Sequence, residues 1–269
     1  MTSVPEAPGA PAVILYRQVD REDKIFGSQE HVYVRIKVLT EDGRKYGVVK
    51  IPSLQGKYDI TSLRGRTVHA DGTVIAFNGK VYDKTILKWK GLSYLAKVLV
   101  MPDVQVGSIL EYEYYIDYQD RYFYQEEWVL SDTLFTREAK FSFTPYTRHG
   151  ISVRWNIPAG LPEGVKAPEV QAAGIVRMEA HNIPAFQTED YMPPPSELKY
   201  RVQFIYSDGA QENDPDKFWK SFAKKQNGEI ENFLGRRAAL EKTVAETTSA
   251  GDSADIKLHK LYERKKLEV

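Results

Sequence analysis

The spacing of apolar residues changes once along the chain. Up to about residue 207 they recur every second position in short blocks, and from about residue 214 they recur at helical spacing. The clearest alternation spans residues 31–38. Val32, Val34, Ile36 and Val38 fall on one side, and Tyr33, Arg35 and Lys37 on the other, which is the mark of a half-buried strand. Residues 107–118 repeat the pattern at greater length: Leu110, Tyr112, Tyr114, Ile116 and Tyr118 share a face, while Glu111, Glu113 and Asp117 share the opposite one. Further strands are predicted over residues 13–19, 45–51, 66–70, 74–77, 94–101, 122–130, 138–143, 151–157, 175–180 and 199–206. Glu41-Asp42-Gly43 is read as the turn of a hairpin from 31–38 to 45–51. Asp71-Gly72 suits the positive φ angles of a second hairpin. The short link 119–121 predicts that 122–130 pairs antiparallel with 107–118. Pro- and Gly-rich loops fill residues 158–168 and 192–195. Many short strands with no helix between them define a mainly β fold, a large antiparallel β-sandwich, followed by a short C-terminal helical extension.

Asp214-Pro215 is a helix start, since Asp can cap and Pro suits the first helical position. Phe218, Trp219 and Phe222 give an apolar stripe, and Gly228 is expected to break it. The helical pattern resumes over residues 229–245, breaks again at 249–252, and ends with Ile256, Leu258, Leu261 and Tyr262. A terminal helix with such a stripe needs a surface to cover it. The domain reading is a flexible Pro/Ala/Gly-rich leader over residues 1–12, a β-sandwich over 13–207, and over 208–269 a helical linker or the start of a truncated domain.

Composition narrows the chemistry. Lys plus Arg and Asp plus Glu are 37 each, so no field of one sign would draw nucleic acid. The basic runs at 224–225 and 264–266 read as solvated helix faces. The absence of cysteine excludes disulfides, thiolate metal sites and a cysteine nucleophile within these 269 residues. No apolar run approaches the ~20 residues that cross a bilayer, and residues 1–12 lack the features of a signal peptide. His31, His69, His149, His181 and His259 are scattered without ligand spacing, so neither a metal nor a cofactor is expected.

Two constellations remain. Glu111, Glu113 and Asp117, with Glu126 and Glu127 on the next strand, meet the spacing that carboxylate-based glycoside hydrolysis requires. They also match the solvent side of a half-exposed sheet. The aromatics between Tyr112 and Trp128 are dense enough that some rings are expected at the surface. Tyr115, Phe123, Tyr124 and Trp128 are the candidates for stacking on sugar rings or gripping an extended peptide. No nucleophile elbow or phosphate-cradling glycine loop is present.

Four motifs occur in order: Val-Gln-Val-Gly-Ser-Ile-Leu-Glu-Tyr-Glu-Tyr at 104–114, His-Ala-Asp-Gly-Thr-Val-Ile at 69–75 upstream, and Asn-Ile-Pro-Ala at 182–185 with Glu-Asp-Tyr-Met-Pro-Pro at 189–194 downstream. Together they make residues 13–207 resemble domain-of-unknown-function family 3857. The tryptophan often seen before the Ile-Pro segment is replaced here by Met178 to His181. The resemblance implies a sandwich standing ahead of a transglutaminase-like, papain-type domain in bacterial envelope proteins. It implies a periplasmic or extracytoplasmic location. The tail at 257–262 resembles the lead-in to such a domain. Without cysteine the nucleophile of that fold is not in these residues, so the chain is expected to be no enzyme. It is expected to act as an interaction or positioning module, whose partner is a transglutaminase-like domain or an envelope protein, peptide or glycan.

Overall fold

A computed structural model describes residues 3–54, 56–89, 92–119, 127–148, 150–208, 214–233 and 237–267. The chain divides into two compact units, Met1–Gly209 and Ala210–Val269.

The first unit is built on an 11-stranded sheet. Its strands are β1 (Ala12–Glu22), β2 (Gln29–Val38), β3 (Val48–Leu54), β4 (Tyr58–Val68), β5 (Val74–Ala76), β6 (Tyr82–Trp89), β7 (Leu92–Val100), β8 (Ile109–Tyr118), β10 (Thr136–Thr144), β12 (Glu169–Val170) and β13 (Val176–Ile183). They run in the order β12-β13-β10-β1-β2-β8-β4-β3-β7-β6, with β5 added to β4. A second, three-stranded sheet orders β11 (Ile151–Asn156), β14 (Arg201–Asp208) and β9 (Glu127–Val129) as β11-β14-β9. The fold is mainly β, as the alternation predicts. One junction departs from the antiparallel expectation: β1 and β10 run parallel, because β10 arrives after the chain has crossed into the second sheet and back.

The large sheet folds on itself. In the sheet order β3 stands three places from β2, yet Val49 of β3 and Val34 of β2 line the same cavity. β3 meets β4 at one paired position, Leu54 and Tyr58. The small sheet covers the other half of the inner face. Trp128 of β9 stacks on Phe141 of β10 at 5.3 Å and meets Phe204 of β14 edge-on at 4.6 Å, while Phe143 packs on Phe204 at 4.7 Å. These rings join Val32, Val34, Leu99 and Leu110 in one core. Alternation on β2 and β8 places their apolar side chains there and sends Arg35, Lys37, Glu111, Glu113 and Asp117 outward.

Several expectations need correction. Glu41-Asp42-Gly43 does not turn a hairpin. Residues Glu41–Gly47 form a 3-10 helix, and β3 pairs with β7 and β4 instead of β2. Gly43 serves a close approach instead of a hairpin turn, since a Cβ there would stand 2.0 Å from the Pro11 carbonyl oxygen. The N-terminal segment expected as a flexible leader is docked. Val4 is 3% exposed and packs with Val13, Leu39 and Phe135. Leu39 and Thr40 both donate backbone N–H groups to the Pro11 carbonyl, at 2.9 and 3.1 Å. The described part of 122–130, β9, does not pair with β8 and belongs to the second sheet, against β14. Asp71-Gly72 does turn the β4–β5 hairpin, with Gly72 at φ 91.

In the second unit, α2 (Pro215–Phe233) follows a four-residue helix of the first unit, α1 (Pro195–Leu198), in chain order. Asp214 Oδ1 caps α2 by accepting from the backbone N–H groups of Asp216 and Lys217. The helix runs straight through Gly228. A lone glycine costs about 1 kcal/mol relative to alanine, too little to end a 19-residue helix. Two more helices follow, α3 (Arg237–Thr247) and α4 (Ala254–Leu267). They are tied by Arg264, which donates to the Thr247 hydroxyl at 2.7 Å and pairs with Glu246 at 3.3 Å. Along α2 Phe218 stacks on Phe222 and Trp219 meets both rings edge-on, and Trp219 is 62% exposed.

Candidate functional site

The outer face of the large sheet carries rows of polar side chains that run across strands in exact register with the backbone ladder. One row is Glu179, Lys140, Gln18, Tyr33, Glu113 and Arg64, from β13 through β10, β1, β2 and β8 to β4. A second is Arg177, Ser142, Asp20, His31, Tyr115 and Thr61. A third is Tyr16, Arg35, Glu111 and Arg66. Direct cross-strand neighbours sit about 4.5–5.5 Å apart at Cβ, so opposite charges placed in one row pair by default.

Glu111, Glu113 and Asp117, singled out from the sequence, are engaged on this face, whereas Glu127 is exposed on β9 of the second sheet. Glu111 is nearly covered, its side chain 8% exposed, and it lies between two guanidiniums: Arg35 Nε is 2.8 Å from Oε1, and Arg66 Nε pairs with Oε2. Glu113 Oε2 lies 3.1 Å from His31 Nε2, and its Oε1 lies 4.0 Å from Arg64. Asp117 accepts from Gln29 and from the Thr61 hydroxyl, each at 2.6 Å. Arg35 Nη2 donates in turn to the Tyr33 hydroxyl at 3.2 Å. The arrangement is a ladder of matched charges on a broad surface, with a shallow depression between Tyr33, Glu113, Arg64 and Arg66. Among the described residues no three metal-ligating side chains converge.

Of the rings predicted for stacking, Trp128 is not available to a ligand. Trp128 is 1% exposed and forms the centre of the core between the two sheets, so it cannot present a ring to a ligand. The reason is the strand's placement: β9 leaves β8 for the second sheet, and its middle residue turns inward. Tyr115 is on the outer face, half-buried and stacked on His31 at 4.6 Å. Phe123, Tyr124 and Glu126 lie outside the described residues, as does His149.

Sequence reasoning missed two features of the inner face. The first is a cavity of about 500 Å³ where the folded-over β3 wing and the segment after β9 fail to meet. Its floor is Ile14 and Arg17 of β1, Val32, Val34 and Ile36 of β2, and Tyr112 and Tyr114 of β8. One wall is Lys45, Tyr46 and the start of β3 through Lys50, and the other is Asp132, Thr133 and Leu134. Burial pushes the Tyr112 hydroxyl up to about 12, helped by the nearby Asp132 carboxylate and opposed by Arg17. Tyr114 is raised as well, first by burial and then by Tyr112. The cavity arises only when strands far apart in sequence are stacked, so no local motif announces it.

The second is a buried polar joint between the sheets. Arg21 donates from Nε to Asp23 Oδ1 at 2.8 Å, approaches Glu30 Oε2 at 3.7 Å, and lies over the Tyr118 ring at 4.2 Å. Burial raises the Glu30 carboxyl above its ordinary value, and Arg21 pulls it the other way. Arg21 and Asp23 sit at the end of β1, where the alternation would suggest an exposed strand terminus.

A family profile for a domain of unknown function with a solved structure, DUF3857, matches residues 27–187. This stretch carries the long strand β8 and the Asp-Gly hairpin, and it covers more than half of the chain. The chain belongs to the DUF3857 family. No curated protein matches the sequence. Among solved structures, the crystal structure of a candidate protease from Parabacteroides distasonis is similar with a TM-score of 0.57 and 17% identity, over 72% of this chain and 40% of that one. Two structures of leukotriene A4 hydrolase from the yeast Saccharomyces cerevisiae align with TM-scores of 0.36 and 0.38 and 10% identity, over 76% of this chain and 30% of theirs. The chain thus spans less than half the length of each of these proteins.

Proposed function

We propose that this chain is a non-catalytic module that holds or positions a transglutaminase-like domain in a bacterial envelope protein, outside the cytoplasm. The observation that carries the reading is the engagement of Glu111 and Glu113 by Arg35, Arg66, Arg64 and His31 on the outer face. General acid–base catalysis needs a carboxyl within hydrogen-bond reach of a substrate proton, and these carboxylates are already engaged by arginine and histidine side chains of the same sheet. What remains is a broad polar face of fixed geometry on paired strands, suited to docking another protein. Membership of the DUF3857 family supports the partner domain by resemblance. A fold that spans 40% of a larger candidate protease accords with a module carried beside a hydrolase.

The test is association in trans. The 269-residue chain is titrated calorimetrically against a purified transglutaminase-like domain from a DUF3857 protein of the same genome. Saturable binding that Glu113→Lys weakens supports the reading. Absence of binding, or hydrolysis of peptide or polysaccharide by this chain that Glu113→Gln abolishes, overturns it.

A further inference from the structure

The cavity on the inner face has the chemistry of a ligand site. Its floor is largely apolar, made by Ile14, Val32, Val34 and Ile36 beside the Tyr112 and Tyr114 rings. Its polar groups are not spread evenly: Arg17 stands on the floor and Lys45 and Lys50 on one wall, against the single carboxylate of Asp132. Asp132 is committed to its own turn, where Oδ1 accepts from the Thr133 hydroxyl at 3.2 Å and the Leu134 N–H at 3.4 Å. Arg17 is held by a donation from Nη1 to the Val129 carbonyl at 3.0 Å, which fixes its guanidinium beside the cavity. A largely apolar floor with an excess of cations along its edge complements a molecule with an apolar body and an anionic end. A volume of about 500 Å³ falls within the usual range of small-molecule pockets, ~300–1,000 Å³.

We infer that this cavity binds a single-chain amphipathic anion, with the acyl chain on the Ile14/Val32/Val34/Ile36 floor and the anionic group toward Arg17, Lys45 and Lys50. The two-chain body of a phospholipid exceeds the volume. A neutral chain would leave the cations unmatched, and a cationic one would meet repulsion. The site lies on the opposite face of β2 and β8 from the outer rows. It therefore goes beyond the docking reading and can stand or fall separately.

The probe is decanoate, kept below the concentration at which it aggregates, with decanol and decyltrimethylammonium as uncharged and cationic counterparts. Decanoate is expected to bind at one saturable site and to raise the unfolding temperature with concentration. Decanol is expected to bind roughly tenfold more weakly, as loss of a charge-assisted contact implies. The double variant Lys45→Gln/Lys50→Gln is expected to lose roughly tenfold in decanoate affinity and to bind decanol unchanged. Lys224→Gln/Lys225→Gln, on α2, is the charge-matched control and is expected to bind decanoate as the unaltered chain does. A measurement that needs no variant is lysine acetylation read by mass spectrometry, in which decanoate should protect Lys45 and Lys50 and leave Lys84 reactive. The inference is overturned if decanoate does not bind, if the three probes bind equally, or if Lys45 and Lys50 label at the same rate with decanoate as without it. Loss of trans association with the partner domain would leave these outcomes unchanged.

Discussion

Tyr206 and Asp23, 183 residues apart in sequence, are joined by a 2.6 Å hydrogen bond from the Tyr206 hydroxyl to Asp23 Oδ2. The bond ties β14 of the small sheet to the end of β1 in the large one. The same hydroxyl accepts from the Tyr146 backbone N–H at 3.1 Å. Tyr206→Phe keeps the ring that packs on Phe143 and removes both contacts. It is expected to lower stability by about 1–3 kcal/mol, because a buried carboxylate and a backbone donor lose a partner. Urea unfolding measures this, and a midpoint equal to that of the unaltered chain would refute the role assigned to the joint.

The buried phenols set the alkaline limit. Tyr112 is pushed up to about 12, and Tyr114 and Tyr206 are raised as well, in each case first by burial. Folding therefore favours their neutral forms. The stability they contribute is fully present below the ordinary tyrosine value of about 10 and is lost as pH rises from there through the folded values. Unfolding free energy measured from pH 8 to 11.5 should stay level from this source and then fall above pH 10. Tyr112→Phe should make that fall shallower. A flat profile to pH 11.5 would contradict the assignment.

Glu111 joins three strands through its two guanidinium partners. Glu111→Gln leaves Arg35 and Arg66 facing each other without the charge between them. It is expected to cost about 1–3 kcal/mol, less than the 3–5 kcal/mol typical of a fully buried pair because both arginines are half-exposed. Arg66→Ala, at the outer end of the row, should cost no more than about 1 kcal/mol. Chemical denaturation of the two variants should rank them in that order, and the reverse order would show that the pairing is not the source.

Trp128 is a core residue between the sheets, so Trp128→Ala should destabilise by about 3–5 kcal/mol. Any glycan binding by the folded protein should be unaffected by Trp128→Phe, which keeps an aromatic body in the core. A loss of glycan binding with no change in stability would restore the stacking role.

The outer rows were legible in part from the sequence. Alternation over residues 31–38 and 107–118 places Tyr33 and Arg35, and Glu111 and Glu113, on the faces where they are found, since side chains alternate whatever the strand pairs with. Which acid meets which base was not legible, because that depends on the register of β2 against β8 and of β8 against β4. The failed hairpin at Glu41–Gly47 and the misplacement of β9 have the same origin. Turn residues and short links favour local pairing, and here distant partners displaced it: Pro11 against Gly43, and β14 against β9.

Periodicity and composition by themselves determined that this is a mainly β chain with a helical end, that Val32, Val34, Ile36 and Leu110 face inward, and that no thiol chemistry occurs in it. These are local properties, written in the order of apolar and polar residues and in the absence of one residue type. The fold of the large sheet back on itself, the parallel β1–β10 junction, the burial of Trp128 and the cavity between the two covering layers were decided only by tertiary structure. Each depends on which strands stack, and stacking is settled by the total apolar surface that segments far apart in sequence can bury together.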